Sequence, residues 1–384
     1  MAHHQVFLVA GFFGFSNLGG ITYFHHVREA LEDAFARAGH RVSVFSVPTL
    51  PTGSIRRRSA VLAEALARHA DTPGPIHLVG HSTGGLDTRL LVTQNVSLPV
   101  ASEIDVEALA RRVRSVTTVA SPHLGTPMAT FFNNFFGENI LRAISLGTIY
   151  TLRFGRLPLR ALIELAGIVT RVDRVLGLDN TILDQFYHEL FKDFDAERRD
   201  EISAFLNQIR VDRSVVGQLT PGAIDLFNAS TGDRPSVRYG SVVTRAPGFA
   251  LSTVRRLGLD AYAHASHALF RALQIISARS GDYPPLSQAQ EEVLIEAFGH
   301  LPGRRDNDGV VPTLSQVHGQ VIHATVADHL DVCGHFNDAH HTPPHVDWFI
   351  SGSAFTRERF HALWDDVATF QLESSGDGPP QQGC

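Results

Sequence analysis

The chain has 384 residues, 43% of them hydrophobic and 19% charged, with a formal net charge of −6. That composition supports one large domain or two modest ones with a buried core, and it argues against a disordered chain. Charges of both signs are mixed with no basic block, which argues against nucleic-acid binding and against steering to anionic lipid, and only two cysteines, Cys333 and Cys384, argue against a disulfide framework.

In chain order, residues 5–10 read as a first strand, followed by a glycine-rich loop over 11–20. A helix is predicted over 22–38, with Val27, Ala30, Leu31, Ala34 and Phe35 on one face and Gly39 just past its end. Residues 41–47 alternate as a strand, and a helix over 54–70 starts at a capping Ser54. The next strand, 76–80, runs into Gly80-His81-Ser82-Thr83-Gly84, after which 86–92 continue as a helix. Asp105 caps a helix through 112, and 115–120 form another strand. Strands alternating with helices imply an α/β fold with a mostly parallel sheet and helices on both faces.

From residue 124 to about 235 the alternation gives way to helical sequence rich in Phe, Leu and Ile, including Phe131, Phe132, Phe135 and Phe136. A strand returns near 237–243, helical sequence covers 247–300, a strand lies at 320–326, and a closing helix spans 355–370. The domain reading is a core of 1–123 and 304–372 with the strand at 237–243, helical cap or lid insertions at 124–235 and 247–300, and a disordered tail at 373–384. The most apolar long stretch, 157–176, is broken by Arg160, Glu164, Arg171, Asp173 and Arg174, which argues against a membrane span. The N-terminus lacks a basic segment and a cleavage site, so the expected location is the cytoplasm, or outside the cell if a signal was removed.

The most informative motif is Gly-x-Ser-x-Gly directly after a strand. Strand, tight turn and helix start together expose a serine at the carboxyl end of a sheet. A serine hydroxyl needs a base, and a histidine base needs a carboxylate to orient it. In the order serine, acid, histidine, the candidates are Ser82, then Asp308 in Asp306-Asn307-Asp308-Gly309, then His329 in Ala327-Asp328-His329-Leu330-Asp331. Asp306 is the reserve acid. The oxyanion would be met by the backbone N–H groups of Thr83 and of Phe12 in the loop after the first strand. Gly80, His81 and Gly84 shape the elbow, and His81 and His123 are read as shaping the site rather than carrying protons. His340, His341 and His345 raise the question of a zinc site, but Pro343 and Pro344 break any helical spacing, and the segment reads as a solvated loop.

These residues resemble the bacterial true lipases, the triacylglycerol lipases of the α/β-hydrolase fold. The resemblance is carried by Leu8-Val9-Ala10-Gly11-Phe12-Phe13-Gly14-Phe15, Gly80-His81-Ser82-Thr83-Gly84-Gly85, Ala120-Ser121-Pro122-His123-Leu124-Gly125-Thr126, Asn307-Asp308-Gly309-Val310-Val311 and Asp328-His329-Leu330-Asp331. It implies Ser82 as nucleophile, Asp308 as acid, His329 as base, Phe12 and Thr83 as oxyanion donors, and an apolar acyl groove beneath a helical lid. The chain departs from the family where Ala10-Gly11 replaces His-Gly. Many members hold a calcium beside the histidine loop. Asp331 stands where one ligand would be, but Cys333 and His335 follow in place of oxygen donors, and one carboxylate does not make a calcium site. No cofactor or metal is therefore expected, with a structural calcium the one open alternative. The resulting expectation is a serine ester hydrolase of the lipase or esterase type acting on apolar acyl esters, with activity lost on the acid side as the histidine protonates. Its partners would be a small ester or lipid and, transiently, a lipid–water interface. The alternatives are an acyltransferase using the same acyl-enzyme, or a non-catalytic lipid-binding protein; the cap is equally readable as a mobile lid or as plain core.

Overall fold

The computed structural model describes residues 3–12, 17–18, 21–69, 72–133, 137–171, 180–278 and 282–376. The expectations for Phe13 to Phe15, for Phe135 and Phe136, and for the tail at 377–384 lie outside the described residues. Six strands, β1 (His3–Val9), β2 (Arg41–Val47), β3 (Ile76–His81), β4 (Val113–Val119), β5 (Arg238–Arg245) and β6 (Gln320–Val326), form one sheet in the order β2-β1-β3-β4-β5-β6. Every neighbouring pair is parallel, as the alternation of elements implies. The order reverses direction between β1 and β3. The loops leaving those two strands therefore diverge to opposite faces and open a crevice beyond their carboxyl ends.

Period-two alternation sends β1 side chains to two separate cores. Around β1 to β4 run α1 (Val27–Arg37), α2 (Ile55–Ala67), α3 (Thr83–Val92) and α4 (Val106–Arg112). Phe7 and Val9 pack with Leu62 and Leu66 of α2, Leu91 of α3 and Leu109 of α4. Val6 and Leu8 face the other way, onto Leu31 and Phe35 of α1 and onto the C-terminal helix. Ser54 and Asp105 cap α2 and α4 by accepting from Arg57 N and Ala108 N. The first helix starts five residues later than its periodicity suggests, at Val27, because Tyr23 and Phe24 are buried and His26 is left-handed, with φ 59°.

Between β4 and β5 lie α5 (Pro127–Phe132), α6 (Gly137–Phe154), α7 (Leu159–Arg171), α8 (Asn180–Phe191), α9 (Ala196–Val211), α10 (Ser214–Gln218) and α11 (Pro221–Ser230). Between β5 and β6 lie α12 (Leu251–Arg256), α13 (Ala261–Ser277) and α14 (Gln288–Phe298), and α15 (Arg357–Ser374) closes the chain. One apolar cluster joins Ile140 and Ile144 of α6, Leu162 and Leu165 of α7, Phe186, Phe205, and Leu269, Phe270 and Leu273 of α13. The second insertion does not behave as a unit. Helix α13 enters the cap, whereas α14 lays Leu294 and Phe298 against Val243 and Val321 of the sheet. Assigning all of 247–300 to the cap is corrected accordingly: the apolar stripe of α14 is satisfied by the β5–β6 edge. The closing helix also runs to Ser374, two residues past the expected core boundary at 372. No described helix is long and apolar enough to cross a membrane.

Candidate active site

Ser82 sits at the tip of the turn from β3 into α3, with φ 54° and ψ −128°. A non-glycine residue in the left-handed region is strained, and the strain is held by tight surroundings. The Ser82 N–H donates to Val119 O at 2.8 Å. A Cβ on Gly80 would fall 2.3 Å from the Gly84 carbonyl, and one on Gly84 would fall 2.2 Å from Val9 O. Both approaches are backbone on backbone, so a larger residue at Gly80 would push β3 from α3 and one at Gly84 would push α3 from the end of β1. Although Ser82 occupies the N-cap of α3, its hydroxyl makes no capping bond. It faces His329 instead.

His329 Nε2 lies 3.0 Å from Ser82 Oγ, and its Nδ1 lies 2.8 Å from Asp308 Oδ2. The three side chains come from turns after β3, before β6 and after β6. Asp308 is fully buried, and its carboxylate is well supplied with donors. Oδ1 accepts from Val310 N and Val311 N at 2.9 and 2.8 Å, and Oδ2 accepts from Thr244 Oγ1 and Gln316 Nε2 at 2.9 and 3.2 Å. These donors fix the carboxylate, which in turn selects the His329 tautomer whose Nε2 can take a proton from Ser82. The reserve acid, Asp306, holds its own turn by accepting from Gly303 N at 2.7 Å and sits 3.3 Å from Arg245.

Two residues that the sequence reading passed over tie these turns together. Gly11 N donates to Tyr23 Oη at 3.1 Å, Tyr23 Oη lies 2.7 Å from His81 Nδ1, and His81 Nε2 lies 2.8 Å from His329 O. The run of donors and acceptors is consistent: the tyrosine donates to His81 Nδ1, and His81 Nε2–H donates to the carbonyl. Burial and the nearby His329 hold His81 well below the usual histidine range, so it stays neutral. A neutral His81 adds no charge beside His329 and keeps its Nε2–H on the His329 carbonyl.

Arg58 is the second. It is fully buried on α2 and pairs with the equally buried Asp87 of α3 at 2.8 Å. Its guanidinium also donates to Ala10 O at 2.6 Å, to Gly11 O at 3.1 Å and to Leu50 O. The loop after β1, at Ala10 and Gly11, is thus held by a buried cation. Burial raises the Asp87 carboxyl to about 6 against the pull of Arg58. No local motif marks either residue; the signal is that an arginine and an aspartate on two amphipathic helices both point inward.

Ser82, Thr83, His329 and Phe12 open onto one apolar cavity. Its roof comes from the cap: Met128, Ala129 and Phe132 of α5, Leu141 and Ile144 of α6, Val216 of α10 and Leu273 of α13. The two expected oxyanion residues, Phe12 and Thr83, both line this cavity beside the serine. His123 does not. It is buried under the site, with Nδ1 3.1 Å from Arg89 and Nε2 3.1 Å from Thr118 Oγ1, and burial keeps it well below the usual histidine range.

Beside the histidine loop, the sequence offered Asp331 alone as a calcium ligand, and the fold brings three carboxylates together. Asp328, Asp331 and Asp347 each offer an oxygen within 4.8 Å of the others. Asp328 Oδ2 and Asp347 Oδ1 are buried without a partner. Burial raises all three carboxyls, Asp328 to about 6, and the charge of Asp328 pushes Asp331 and Asp347 up further. Orphaned carboxylate oxygens in a shared site fit a hard cation. Cys333 is buried and kept as a thiol by desolvation, and His335 Nε2 lies 2.8 Å from Tyr23 O, so neither belongs to this donor set.

No family model matches the chain. A stretch of 127 residues, 33% of the chain, is 31% identical to a triacylglycerol lipase of Vibrio cholerae and covers 35% of it. The chain thus spans about a third of the length of that relative. Among solved structures it is similar to EstA from Clostridium botulinum, with 18% identity, a TM-score of 0.54, and 97% of this chain and 88% of that chain covered. Lipase 1 from Pelosinus fermentans is 18% identical with a TM-score of 0.49 over 96% of this chain and 99% of its own. Together with the sheet order above, the likeness to EstA gives the α/β-hydrolase fold, the fold of bacterial lipases and esterases.

Proposed function

We propose that the protein is a serine carboxylic-ester hydrolase, of the lipase or esterase type, that takes apolar acyl chains. The observation that carries this reading is the hydrogen-bonded run from Asp308 through His329 to Ser82 at the floor of an apolar cavity. His329 takes the Ser82 proton as Oγ attacks the ester carbonyl. The backbone N–H groups of Thr83 and Phe12 meet the developing oxyanion. His329 then returns the proton to the leaving alcohol, and water resolves the acyl-enzyme by the same route in reverse. An alcohol in place of water would make the same centre an acyltransferase, and product analysis with added alcohol separates the two.

The cap helices set the acyl preference. A series of p-nitrophenyl esters is expected to favour medium or long chains, and a sharp optimum at acetate would contradict the reading. Ile144 is 4% exposed and lines the roof. Ile144→Trp should move the optimum to shorter esters, with kcat/KM falling about fourfold for each methylene that no longer fits, since a buried methylene is worth about 0.8 kcal/mol. An unchanged chain-length profile would place the acyl chain elsewhere.

A calcium ion would be held by Asp328, Asp331 and Asp347. It would neutralise their charge and brace the loop that carries His329, and it supplies no step of the reaction. Adding Ca²⁺ to chelator-treated protein should stabilise it by about 2.7 kcal/mol at a hundredfold excess over Kd. The response should vanish in Asp331→Asn. A wild-type Tm indifferent to Ca²⁺ would contradict the assignment.

A further inference from the structure

A second cluster of side chains lies outside the reaction centre. His26 precedes α1, and His341 and His345 belong to the loop before α15. One ring nitrogen from each lies within 4.8 Å of one from each of the others. Ring centroids are 3.8 Å apart for His26 and His341, 4.6 Å for His26 and His345, and 4.7 Å for His341 and His345. We propose that these three histidines bind a divalent transition-metal ion of the zinc type, which clasps the start of α1 to the loop that follows His329.

The hydrogen bonds around the rings fit this role. His345 Nδ1 lies 2.6 Å from Gly334 O, His26 Nε2 2.9 Å from Pro343 O, and His341 Nδ1 3.3 Å from the same Pro343 O. A ring nitrogen facing a carbonyl carries the proton, which leaves the other nitrogen as a lone pair. That is the arrangement by which a carbonyl orients a metal-ligating histidine. His345 is 2% exposed, and its Nε2 is buried with no partner. A buried imidazole nitrogen without a hydrogen bond is costly unless something else occupies its lone pair.

Ligand chemistry points the same way. Three imidazoles suit zinc, copper or nickel rather than calcium or magnesium. Zinc–nitrogen bonds of about 2.0–2.1 Å put tetrahedral ligand atoms about 3.3 Å apart, so nitrogens up to 4.8 Å apart must close by up to about 1.5 Å. His341 is half-buried on a loop and can move. The Glu29 carboxylate, 4.0 Å from His26 Nδ1, stands ready as a fourth donor or an outer partner. His26 pays with a left-handed backbone at φ 59° and makes no capping bond to α1.

The clasp would reinforce contacts already present between the same two segments. His25 N donates to Cys333 O at 2.8 Å, and His335 Nε2 lies 2.8 Å from Tyr23 O. Gly334, which accepts from His345, sits five residues after His329. The reading of 340–345 as a solvated loop holds for His340, which is exposed, and fails for His345, because His26 arrives from more than 300 residues away to cover it.

The test uses the full chain, stripped with a chelator, loaded with ZnCl₂, desalted and assayed for metal content and Tm. Wild-type protein is expected to retain one equivalent of zinc and to melt higher with it. His341→Ala, at a half-buried loop position, should weaken retention at least tenfold and lose the Tm response, while His340→Ala keeps both. His345→Asn should behave like His341→Ala; if it fails to fold, His341→Ala carries the test. No zinc retained by the wild type, or equal retention by His341→Ala, would overturn the proposal. So would loss of zinc from Asp331→Asn with retention by His341→Ala, which would place the metal on the carboxylates. Ester hydrolysis is not the readout, so this result stands apart from the hydrolase reading.

Discussion

Ser82→Ala is expected to lower ester turnover by about 10⁴–10⁶-fold while leaving the fold and substrate binding intact. The hydroxyl makes no capping bond to α3, and its partner is His329 Nε2 at 3.0 Å. Its removal therefore deletes the nucleophile and little else. His329→Ala should cost a similar amount, and the two losses should not add, because nucleophile and base act as one unit. Asp308→Asn keeps the shape of the carboxylate but reverses the hydrogen-bond polarity toward His329 Nδ1. A loss of about 10⁴-fold in kcat is expected from the wrong tautomer. It should come with lower stability, because Val310 N, Val311 N, Thr244 and Gln316 are all arranged around two acceptor oxygens. Steady-state kinetics on a soluble p-nitrophenyl ester checks all three. Retained hydrolysis in Ser82→Ala would remove the serine from the mechanism.

The second large effect is on stability. Arg58→Met should destabilise the protein by about 3–5 kcal/mol, because it strands the Asp87 carboxylate where no water reaches it. The same change frees the Ala10 and Gly11 carbonyls and so loosens the loop that carries the Phe12 N–H. Two outcomes follow and can be separated. Arg58→Met with Asp87→Leu replaces both charges by apolar groups and should recover much of the stability, since a buried pair exchanged for hydrophobic side chains is often neutral. It should not recover kcat, because the loop carbonyls still lack their donor. Denaturant midpoints and kcat on the single and double variants measure the split. Full recovery of kcat in the double variant would show that Arg58 serves only to neutralise Asp87.

The parts of the molecule that read correctly from sequence are the local ones. The strand at 320–326 and the caps Ser54 and Asp105 depend on residues within a few positions of each other. The serine, acid and histidine are far apart in sequence, but chain order and turn chemistry pointed to Asp308 and His329, and the fold places them 2.8 Å apart. What stayed hidden depends on long-range packing. Tyr23 reads as the start of a helix until its hydroxyl is seen between Gly11 and His81. Arg58 falls inside the predicted helix over 54–70 with nothing local to mark it as buried. Asp347 and His26 have no local pattern at all, because their partners lie elsewhere in the chain. The apolar stripe of α14 fits a cap helix and a sheet-covering helix equally well, and only the exposed β5–β6 edge decides between them.

The claim at the centre of this account is that His329 activates Ser82 for covalent attack. It is tested most directly by exposing the folded protein to a fluorophosphonate and locating the adduct by peptide mass spectrometry. The account predicts one adduct per chain, on Ser82, with labelling abolished in Ser82→Ala and slowed by orders of magnitude in His329→Ala. Folded wild-type protein that stays unlabelled, or labels at another residue at the same rate with and without His329, would contradict it.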